Sequence, residues 1–338
     1  MVLQINLQDH SYPIYIKKGL LNEIEQYLSF KGKTLVVSDD LIPNQYIEVI
    51  KKKYDHVYVK IINHGEKNKT LDAYQDILSF LSDNEFSRND NLLAIGGGLT
   101  SDIAGFAAST YMRGINFYII PTTLLSQVDA SIGGKVAVNY RDYKNLVVSF
   151  YQPKAVFIDP VVLDTLSPRI KNEGFAEVIK MAATSNKHLF EYLENTEDID
   201  IEYVIFEALK IKKQIVEEDE KETYLRQILN FGHTVGHALE ALSNGKMYHG
   251  ESVAIGMLYF SSKPVKKRLI SLLEKFELPT KDNYSVEDIL KKIRLDKKKK
   301  DNDTINVVFV NEIGKGEITN ITFDDLKKII EEVKKDEE

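Results

Sequence analysis

The first half of the chain alternates short apolar runs with segments in which apolar residues recur every three to four positions. The apolar runs predict buried strands, and the periodic segments predict amphipathic helices. Strands are predicted at 34–38, 57–62, 91–95 and 115–120, and helices at 71–82 and 100–112. Strands that alternate with helices are typical of a parallel sheet. We therefore predict an α/β N-terminal domain with a mostly parallel sheet.

The second half of the chain has a different period. From about Pro168 onward, apolar residues recur mostly every 3.6 positions, which predicts a mainly α-helical C-terminal domain. The helical segments fall near 172–184, 187–194, 200–240, 250–275 and 285–294, with a short strand at 305–310 and a charged helix at 323–337. The boundary is expected near 159–167, so we place the two domains at 1–166 and 167–338.

Composition narrows the classes of function. The net charge of −7 does not favour a nucleic-acid partner. The absence of cysteine excludes disulfides, a thiolate metal site and a cysteine nucleophile. No stretch of about 18 apolar residues predicts a membrane span, and the N-terminal sequence does not resemble a secretory signal. We expect a cytoplasmic protein without a membrane or nucleic-acid partner.

Three histidines lie close together in the second half: His233, His237 and His249. The first two are four residues apart, so they face the same way on a helix. Two or three imidazoles with one carboxylate form a typical site for a divalent metal such as Zn²⁺, and a catalytic site leaves one position open. The alternative is that paired helical histidines are ordinary polar surface or core residues.

The histidines continue a polar series along the same predicted helix. Its members are Glu222, Arg226, Asn230, His233 and His237, in steps of 4, 4, 3 and 4. These steps predict a single helical stripe. Gly232 interrupts the series where helix propensity disfavours glycine, which indicates close approach of another group. With Lys212 on the preceding helix, we interpret the stripe as the wall of a polar cleft that binds anions.

Glu177 and Lys180 lie in the apolar sequence EGFAEVIKMAA. Charges inside an apolar helix are costly unless they are paired or bound to a metal. The pair therefore indicates either an internal ion pair or part of the functional site.

A strand runs directly into three glycines at 96–98, and a helix follows them. Glycines allow close approach of a ligand, and the helix N-terminus offers free N–H groups to a pyrophosphate. A plain tight turn explains this tripeptide equally well. Asp39 and Asp102, together with Thr122 and Thr123 after the strand at 115–120, favour a nucleotide because ligands of α/β sheets bind at the carboxyl ends of strands.

The segment 128–145 combines glycines with fixed cations. It contains Asp129, Lys135, Lys144 and Asn145, a set that suits a phosphorylated or carboxylated ligand, although a polar surface loop is the alternative. The basic run at 297–300 is either a solvated loop or a phosphate clamp. Together with the metal-type residues, these features point to hydride transfer with NAD near a metal, on an anionic substrate bound between the domains.

Taken together, the motifs resemble those of the 3-dehydroquinate synthase family, one of the sugar phosphate cyclases. The motifs are GEKNKT (65–70), GGGLTSDIAGF (96–106), YMRGI (111–115), PTTLL (121–125), VDASIGGK (128–135), KN (144–145), GFAEVIK (174–180), RQILNFGHTVGHALE (226–240), HGESVAIGM (249–257) and LDKKKK (295–300). The resemblance implies a Rossmann-like NAD-binding domain at 1–166 and a helical metal- and substrate-binding domain at 167–338. It also implies a homodimer and a place in the shikimate pathway of aromatic amino acid biosynthesis.

The implied activity is that of a lyase that closes the sugar-acid phosphate DAHP to 3-dehydroquinate and releases phosphate. NAD takes a hydride and returns it within one cycle, and one divalent metal ion, Zn²⁺ or Co²⁺, polarises the substrate hydroxyls. The resemblance assigns the metal to Glu177, His233 and His249. It makes His237 an acid/base residue, which replaces the ligand role that the spacing of the histidines indicates.

The resemblance also implies the remaining site residues. The cofactor-binding set is Asp39, Glu66, Lys69, Gly97, Gly98, Asp102, Thr122, Thr123, Lys135, Lys144 and Thr165. The other catalytic residues are Lys135, Asn145, Arg113, Lys180, Glu222 and Arg226, and the substrate-binding residues are Asp129, Lys144, Lys212, Asn230 and one of Lys297 or Lys298. Thr100 and Ser101 depart from the family pattern, which has a small apolar residue and glycine there.

Three alternative functions remain open. Another sugar phosphate cyclase, such as one that makes 2-deoxy-scyllo-inosose or a valiolone, would act on a substrate without the carboxylate of DAHP. The cations Lys212 and Arg226 and the lysine run favour the carboxylated substrate. A metal-dependent polyol dehydrogenase would accumulate NADH. A non-enzymatic phosphate- or nucleotide-binding module would use the lysine run, but Glu177 and His233 argue against it.

Overall fold

The computed structural model describes residues 1–141, 143–297 and 303–337. The chain forms two compact units, Met1–Leu166 and Ser167–Glu338. The side chain of Lys297 and the whole of Lys298, one of which is predicted to contact substrate, lie outside the described part of the chain.

The first unit contains nine strands and three α-helices among its described residues. The strands are β1 (Val2–Ile5), β2 (Tyr12–Ile16), β3 (Thr34–Asp39), β4 (Val57–Ile62), β5 (Asn91–Gly96), β6 (Asn116–Pro121), β7 (Lys135–Tyr140), β8 (Tyr143–Phe150) and β9 (Ala155–Ile158). The helices are α1 (Asn44–Lys53), α2 (Leu71–Asp83) and α3 (Gly98–Thr110).

Seven of these described strands form one sheet in the order β1-β2-β9-β6-β5-β3-β4. β1 pairs antiparallel with β2, and the other neighbours pair in parallel. Every residue of β3 and β5 is buried, as expected for central strands that are covered on both faces. The prediction of an α/β domain with a mostly parallel sheet is confirmed.

The parallel pairing brings the ends of three strands to one edge of the sheet. Ser38 of β3 lies opposite Ile95 of β5, and Gly96 lies opposite Pro121 of β6. Residues that directly follow these strands therefore share the carboxyl edge, where ligands of such sheets bind.

The alternative of a polar surface loop at 128–145 is wrong for much of that segment. β7 and β8 form a two-stranded antiparallel sheet of their own, and β7 packs against α3. Charged and polar side chains on both strands obscured the alternating pattern. Strands β1, β2 and β9 were also missed.

The second unit is mainly helical, as predicted. Its helices are α4 (Pro168–Ser185), α5 (Lys187–Asn195), α6 (Ile201–Glu218), α7 (His233–Leu242), α8 (His249–Tyr259), α9 (Lys263–Lys275), α10 (Val286–Lys297) and α11 (Phe323–Glu337). A β-hairpin of β10 (Thr304–Glu312) and β11 (Lys315–Thr322) completes it. Within the described ranges, none of the helices is both long and apolar enough to cross a bilayer.

Two predicted long helices are interrupted. The segment 200–240 divides into α6, a 3₁₀ turn at Leu225–Asn230 and α7, and the segment 250–275 divides into α8 and α9. The second break has a simple cause, because Pro264 stands in the first turn of α9, where its missing N–H costs nothing. The first break follows Asp219, whose carboxylate accepts hydrogen bonds from backbone N–H groups of the residues after it.

We predict that Asp159→Ala destabilises the first unit. The Asp159 side chain is buried, and it accepts hydrogen bonds from the backbone N–H groups of Gly19 (2.8 Å), Val161 (3.0 Å) and Leu21 (3.0 Å). Alanine would leave these donors without that acceptor, so the free energy of unfolding should fall by about 3 kcal/mol. Urea denaturation measures the change, and Asp55→Ala at an exposed position is the control. Equal midpoints for the two variants would contradict the assigned role.

Candidate functional site

Glu177 is the centre of the candidate site in the second unit. It lies in the middle of α4, where Gly174–Thr184 are all buried, and its own exposure is 0%. Lys180 Nζ forms an ion pair with Glu177 Oε2, one turn along the helix. Among the described residues, neither carboxylate oxygen has a hydrogen bond of normal geometry. The internal ion pair considered from the sequence is therefore present, but it does not account for Oε1.

Two imidazoles face that remaining oxygen. His233 Nε2 lies 3.7 Å and His249 Nε2 lies 3.6 Å from Glu177 Oε1. The ligand atoms that these three residues offer all lie within 4.8 Å of one another. A tetrahedral ion with bonds of about 2.1 Å separates its ligand atoms by roughly 3.4 Å. The arrangement thus fits a small divalent ion with little rearrangement.

The other ring nitrogens fix the tautomers that a metal requires. His233 Nδ1 lies 3.1 Å from the carbonyl oxygen of Phe231, and His249 Nδ1 lies 3.1 Å from Glu240 Oε2. A carbonyl and a carboxylate only accept, so each Nδ1 donates its hydrogen. With Nδ1 held as a donor, Nε2 is the nitrogen that can offer a lone pair to an ion once it carries no proton, and such outer support is usual for metal-bound histidine.

The electrostatics of the cluster follow from burial and from its charges. Burial acts to raise the pKa of Glu177, but the charge of Lys180 and the nearby imidazoles hold that pKa well below its usual range. Burial and the Lys180 charge lower the pKa of His233. Burial opposes protonation of His249, yet its contacts with Glu177 and Glu240 raise its pKa to about 10. The carboxylate thus stays ionised and is stabilised by positive charge.

His237 lies beside the cluster. Its ring centroid is 5.1 Å from that of His233 and 5.8 Å from that of His249. It does not belong to the three-residue group that could hold an ion among the described residues. The structure therefore places His237 next to the candidate centre, where a group that transfers protons would be needed.

Close packing of α7 against α8 brings His233 and His249 together. Gly232 precedes α7 in a left-handed conformation (φ 79°), and a Cβ there would lie 2.7 Å from the carbonyl oxygen of Val253. A Cβ on Gly256 would overlap the carbonyl oxygen of Gly232. Only glycine fits these positions. The close approach that Gly232 indicated in the sequence is thus a contact between helices.

The polar residues before α7 do not form the predicted helical stripe. Glu222 has a left-handed backbone (φ 57°), and Arg226 and Asn230 lie in the 3₁₀ turn. The turn nevertheless brings some of them together, because Asn230 Nδ2 donates to Glu222 Oε1 at 3.1 Å. The prediction of one continuous helix was wrong, although its polar residues remain neighbours.

Asp219 explains why the helix stops. Its carboxylate accepts from the backbone N–H groups of Thr223 (2.8 Å), Tyr224 (2.8 Å) and Arg226 (3.0 Å), and from Thr223 Oγ1 (2.9 Å). Side chains that capture backbone donors in this way compete with helix formation. Asp219 therefore sets the path of the chain that carries Glu222 and Arg226.

The second unit also buries cations. Lys180 is 2%, Lys212 3% and Arg226 3% exposed, and the Arg226 guanidinium donates to the carbonyl oxygen of Glu220 at 2.7 Å. Buried cations are costly unless anions compensate them. Glu177 compensates the charge of Lys180, and cationic side chains of this kind are also the groups that bind carboxylates and phosphates.

In the first unit, the candidate cofactor residues begin at the carboxyl edge of the sheet. Asp39 ends β3, and it accepts from Thr100 Oγ1 at 2.7 Å and from the N–H of Leu41 at 3.1 Å. An ionised carboxylate can accept about four hydrogen bonds, so further acceptor capacity remains. Thr100, which departs from the family pattern, thus orients the acid that is expected to bind ribose.

Gly97 and Gly98 begin α3 at this edge, and Thr122 and Thr123 follow β6. Thr122 Oγ1 is buried and has no hydrogen-bond partner in the described structure, whereas Thr123 Oγ1 donates to Ser126 Oγ at 2.9 Å. A buried hydroxyl without a partner beside a helix N-terminus fits a bound pyrophosphate or sugar.

Lys69 connects two other predicted site residues. It is 3% exposed, and its Nζ donates to Asp102 Oδ2 and to Asn145 Oδ1, each at 2.5 Å. Glu66 precedes it in a 3₁₀ turn and accepts from Asn139 Nδ2 at 2.8 Å. The GEKNKT segment, α3 and β8 therefore meet at one place in the first unit.

The other predicted residues of this unit lie on several different elements. Arg113 ends a short turn in a left-handed conformation (φ 66°), and Asp129 lies in a π-helical turn at Ser126–Ala130. Lys135 and Lys144 are exposed on β7 and β8. Thr165 accepts a long hydrogen bond of 3.4 Å from Tyr46.

Sequence reasoning missed four supporting residues, namely Asp219, Glu240, Asn139 and Thr100. Glu240 had a visible signal, because it lies three residues after His237 on the same helix and can reach the same face. The roles of the other three depend on contacts with distant residues or on capture of backbone donors. The periodicity of apolar residues reveals neither a contact with a distant residue nor a side chain that binds backbone donors.

The chain is similar to 3-dehydroquinate synthases along most of its length. Residues 59–173 match the family profile described as "3-dehydroquinate synthase N-terminal", and residues 174–299 match "3-dehydroquinate synthase C-terminal". A 3-dehydroquinate synthase of Thermoanaerobacter pseudethanolicus is 41% identical over 97% of this chain and 99% of its own. One of Clostridium acetobutylicum is 43% identical over 92% and 94%. These findings confirm the resemblance that the motifs indicated.

Two solved structures share the fold. A 2-deoxy-scyllo-inosose synthase complexed with carbaglucose-6-phosphate, NAD⁺ and Co²⁺ has a TM-score of 0.88 and 25% identity, covering 98% of this chain and 100% of that one. A 2-epi-5-epi-valiolone synthase from Streptomyces hygroscopicus with NAD⁺ and Zn²⁺ bound has a TM-score of 0.88 and 23% identity, covering 98% of each chain. The second likeness concerns the fold alone.

We predict that Glu240 supports metal binding through His249. Glu240→Gln should weaken the affinity for Zn²⁺ or Co²⁺ about tenfold and Glu240→Ala by up to about 100-fold, because the imidazole loses its charged acceptor. His249→Ala should abolish stoichiometric retention. Competition with a chromophoric chelator measures the affinities, and Glu274→Gln at an exposed position is the control. Wild-type affinity in Glu240→Ala would contradict the role.

We predict that the stabilising effect of Asp219 depends on pH. Burial acts to raise its pKa, but hydrogen bonds from the N–H groups of Arg226, Thr223 and Tyr224 hold it below the usual 3.8. A depressed folded-state pKa stabilises the protein above pH 4, and this contribution is lost as the pH falls toward the folded value.

Asp219→Asn should therefore lower the free energy of unfolding by about 3 kcal/mol at pH 7 and by less at pH 3.5. Urea denaturation at both pH values measures this, with Asp198→Asn at an exposed position as the control. A loss that is the same at both pH values would show that the carboxylate charge is not the cause.

Proposed function

The chain belongs to the 3-dehydroquinate synthase family and catalyses that family's lyase reaction, and we propose that it does so with NAD, one divalent metal ion and the residues placed above. The reaction converts DAHP to 3-dehydroquinate with release of phosphate. In the shikimate pathway, this step contributes to aromatic amino acid biosynthesis.

One observation supports the metal assignment above the others. The Glu177 carboxylate is fully buried, it has no hydrogen bond of normal geometry within the described residues, and the Nε2 atoms of two histidines face its Oε1. A buried anion in this position needs a cation. We propose that Glu177, His233 and His249 hold Zn²⁺ or Co²⁺, the ions named for the two related structures. Two imidazoles and a carboxylate suit both ions.

The proposed dinucleotide site rests on the carboxyl edge of the sheet. Asp39 would bind a ribose, and the N-terminus of α3 at Gly97 and Gly98 would bind the pyrophosphate. The remaining residues proposed to contact NAD are Glu66, Lys69, Asp102, Thr122, Thr123, Lys135, Lys144 and Thr165. The orphaned Thr122 hydroxyl supports this assignment because it would gain a partner there.

NAD and the metal ion together supply reversible hydride transfer at a polarised hydroxyl when they are bound. The protein contributes charge, orientation and proton transfer. The buried cations Lys180, Lys212 and Arg226 suit the carboxylate and phosphate of DAHP, and we propose that Arg113, Asp129, Lys135, Lys144, Asn145, Glu222 and Asn230 complete the substrate set. His237 lies beside the ligand histidines, and we propose that its imidazole holds and moves a proton of the substrate.

The oligomeric state and the cellular location are proposals as well. We propose that the protein is a homodimer, as the family resemblance implies, and that it works in the cytoplasm with other biosynthetic enzymes. Light scattering after size exclusion tests the oligomeric state, and fractionation of the source cells tests the location.

We predict that the protein releases inorganic phosphate from DAHP when catalytic amounts of NAD⁺ and a divalent metal are present, with no net formation of NADH. His237→Asn should lower kcat by about 100-fold or more and leave metal and NAD binding within about twofold, because only proton transfer is removed. Phosphate release measures kcat, absorbance at 340 nm measures net formation of NADH, and chelator competition and NADH fluorescence measure the two affinities. His188→Asn, at an exposed position of the same unit, is the control.

The same assay separates the alternatives. Turnover of glucose 6-phosphate without turnover of DAHP would move the protein to the inosose-forming cyclases. Stoichiometric accumulation of NADH with a polyol would indicate a dehydrogenase. Binding of phosphate and NAD without turnover of any of these substrates would indicate a binding module.

A further inference from the structure

The hairpin of β7 and β8 contains an irregularity at the candidate site. Val138 pairs with Val147, and Tyr140 pairs with Tyr143. Three residues of β8, namely Lys144, Asn145 and Leu146, therefore lie opposite the single residue Asn139. Bulges of this kind leave backbone groups outside the ladder and are common near active sites, where they redirect a side chain.

The Asn139 side-chain oxygen holds the bulge. It accepts the backbone N–H of Asn145 at 2.7 Å, a donor that the ladder does not use. Asn145 has a left-handed backbone (φ 51°), a conformation that asparagine tolerates better than most residues but that is still less favourable than the extended one a strand requires. The contact with Asn139 stabilises this conformation, and it thereby sets the direction of the Asn145 side chain.

The nitrogen end of the same side chain reaches a different segment. Asn139 Nδ2 donates to Glu66 Oε1 at 2.8 Å and to the Glu66 carbonyl oxygen at 3.3 Å. The backbone N–H of Asn139 donates to the carbonyl oxygen of Lys69 at 2.8 Å. Asn139 thus contacts both ends of the segment Glu66–Lys69 as well as the bulge.

Lys69 closes the connection. Its Nζ donates to Asn145 Oδ1 and to Asp102 Oδ2. A displacement of Asn145 would therefore change the position of the lysine that also pairs with α3. Asn139 is the one residue in this set with hydrogen bonds to both Glu66 and the Asn145 backbone among the described contacts.

We propose that Asn139 is a positioning residue that aligns Asn145 with the Glu66–Lys69 segment, so that the substrate contact and the dinucleotide contacts are set together. The proposal rests on the proposed function, in which Asn145 contacts substrate and Glu66 and Lys69 contact NAD. Asn139 acts through these residues. Its amide oxygen serves the substrate side, and its amide nitrogen serves the dinucleotide side.

The two ends of the amide can be separated by substitution. Asn139→Asp keeps an acceptor for the Asn145 N–H, but it loses the donor to Glu66 and places a second carboxylate beside it. Asn139→Ala removes both ends. A residue with a merely structural role would give the same kind of loss in both variants.

We expect Asn139→Asp to raise the Kd for NADH about tenfold and to keep kcat at saturating NAD⁺ and DAHP within about threefold of wild type. Asn139→Ala should raise the Kd similarly and also lower kcat at least about tenfold. NADH fluorescence measures binding without background from tryptophan, because the chain has none. Phosphate release measures kcat.

Asn116→Ala is the matched control. Asn116 also donates through Nδ2 to two oxygens, of Asn89 (3.1 Å) and Asn91 (3.3 Å), but it lies at the amino end of β6, the opposite end of that strand from Thr122. The Kd for NADH and the kcat of Asn116→Ala should both stay within about twofold of wild type. Urea midpoints of all variants report whether each is folded.

Wild-type values of Kd and kcat in Asn139→Ala would overturn the proposal, and so would an equal loss of kcat in Asn139→Asp and Asn139→Ala. If Asn139→Ala does not fold, Asn139→Ser takes its place with the same expected values. Failure of the wild-type protein to release phosphate from DAHP would refute the proposed function instead. The NADH measurement would still report on the link between Asn139 and Glu66.

Discussion

The charged Glu177 side chain in the apolar interior of α4 is the constraint on which the functional site depends. Its burial is costly, and the surrounding residues compensate the charge through Lys180 on one oxygen and two imidazoles toward the other. These contacts require α7 and α8 to present their first residues to the middle of α4. The close glycine contact between Gly232 and Gly256 makes that placement sterically feasible.

The sequence predicted the strand ends of the first unit well. Runs such as 92–95 are apolar throughout because both faces of a central parallel strand are buried, and the residues after them then share one edge. The hairpin of β7 and β8 was missed because it is not part of that sheet. Its exposed strand β8 carries charged and polar residues where a buried strand would be apolar.

The candidate site was only partly predictable. The spacing of His233 and His237 placed both on one face of a helix, but spacing alone favoured them as a ligand pair. The convergence of Glu177, His233 and His249 is tertiary, and it was expected from the family resemblance and not from periodicity. The stripe prediction failed because the Asp219 carboxylate binds backbone donors that a helix would have used, and a count of apolar positions cannot detect this.

Both histidines proposed to bind the metal occupy the first position of their helices, α7 and α8. The amino end of a helix carries partial positive charge, so two such ends meet where a cation is expected to bind. This repulsion acts against a bound cation, and the Glu177 side chain that opposes it is only 1% exposed, against 30% for His249. The Glu177 carboxylate therefore has to offset two helix ends as well as the proposed ion, and its burial keeps that attraction unscreened by water.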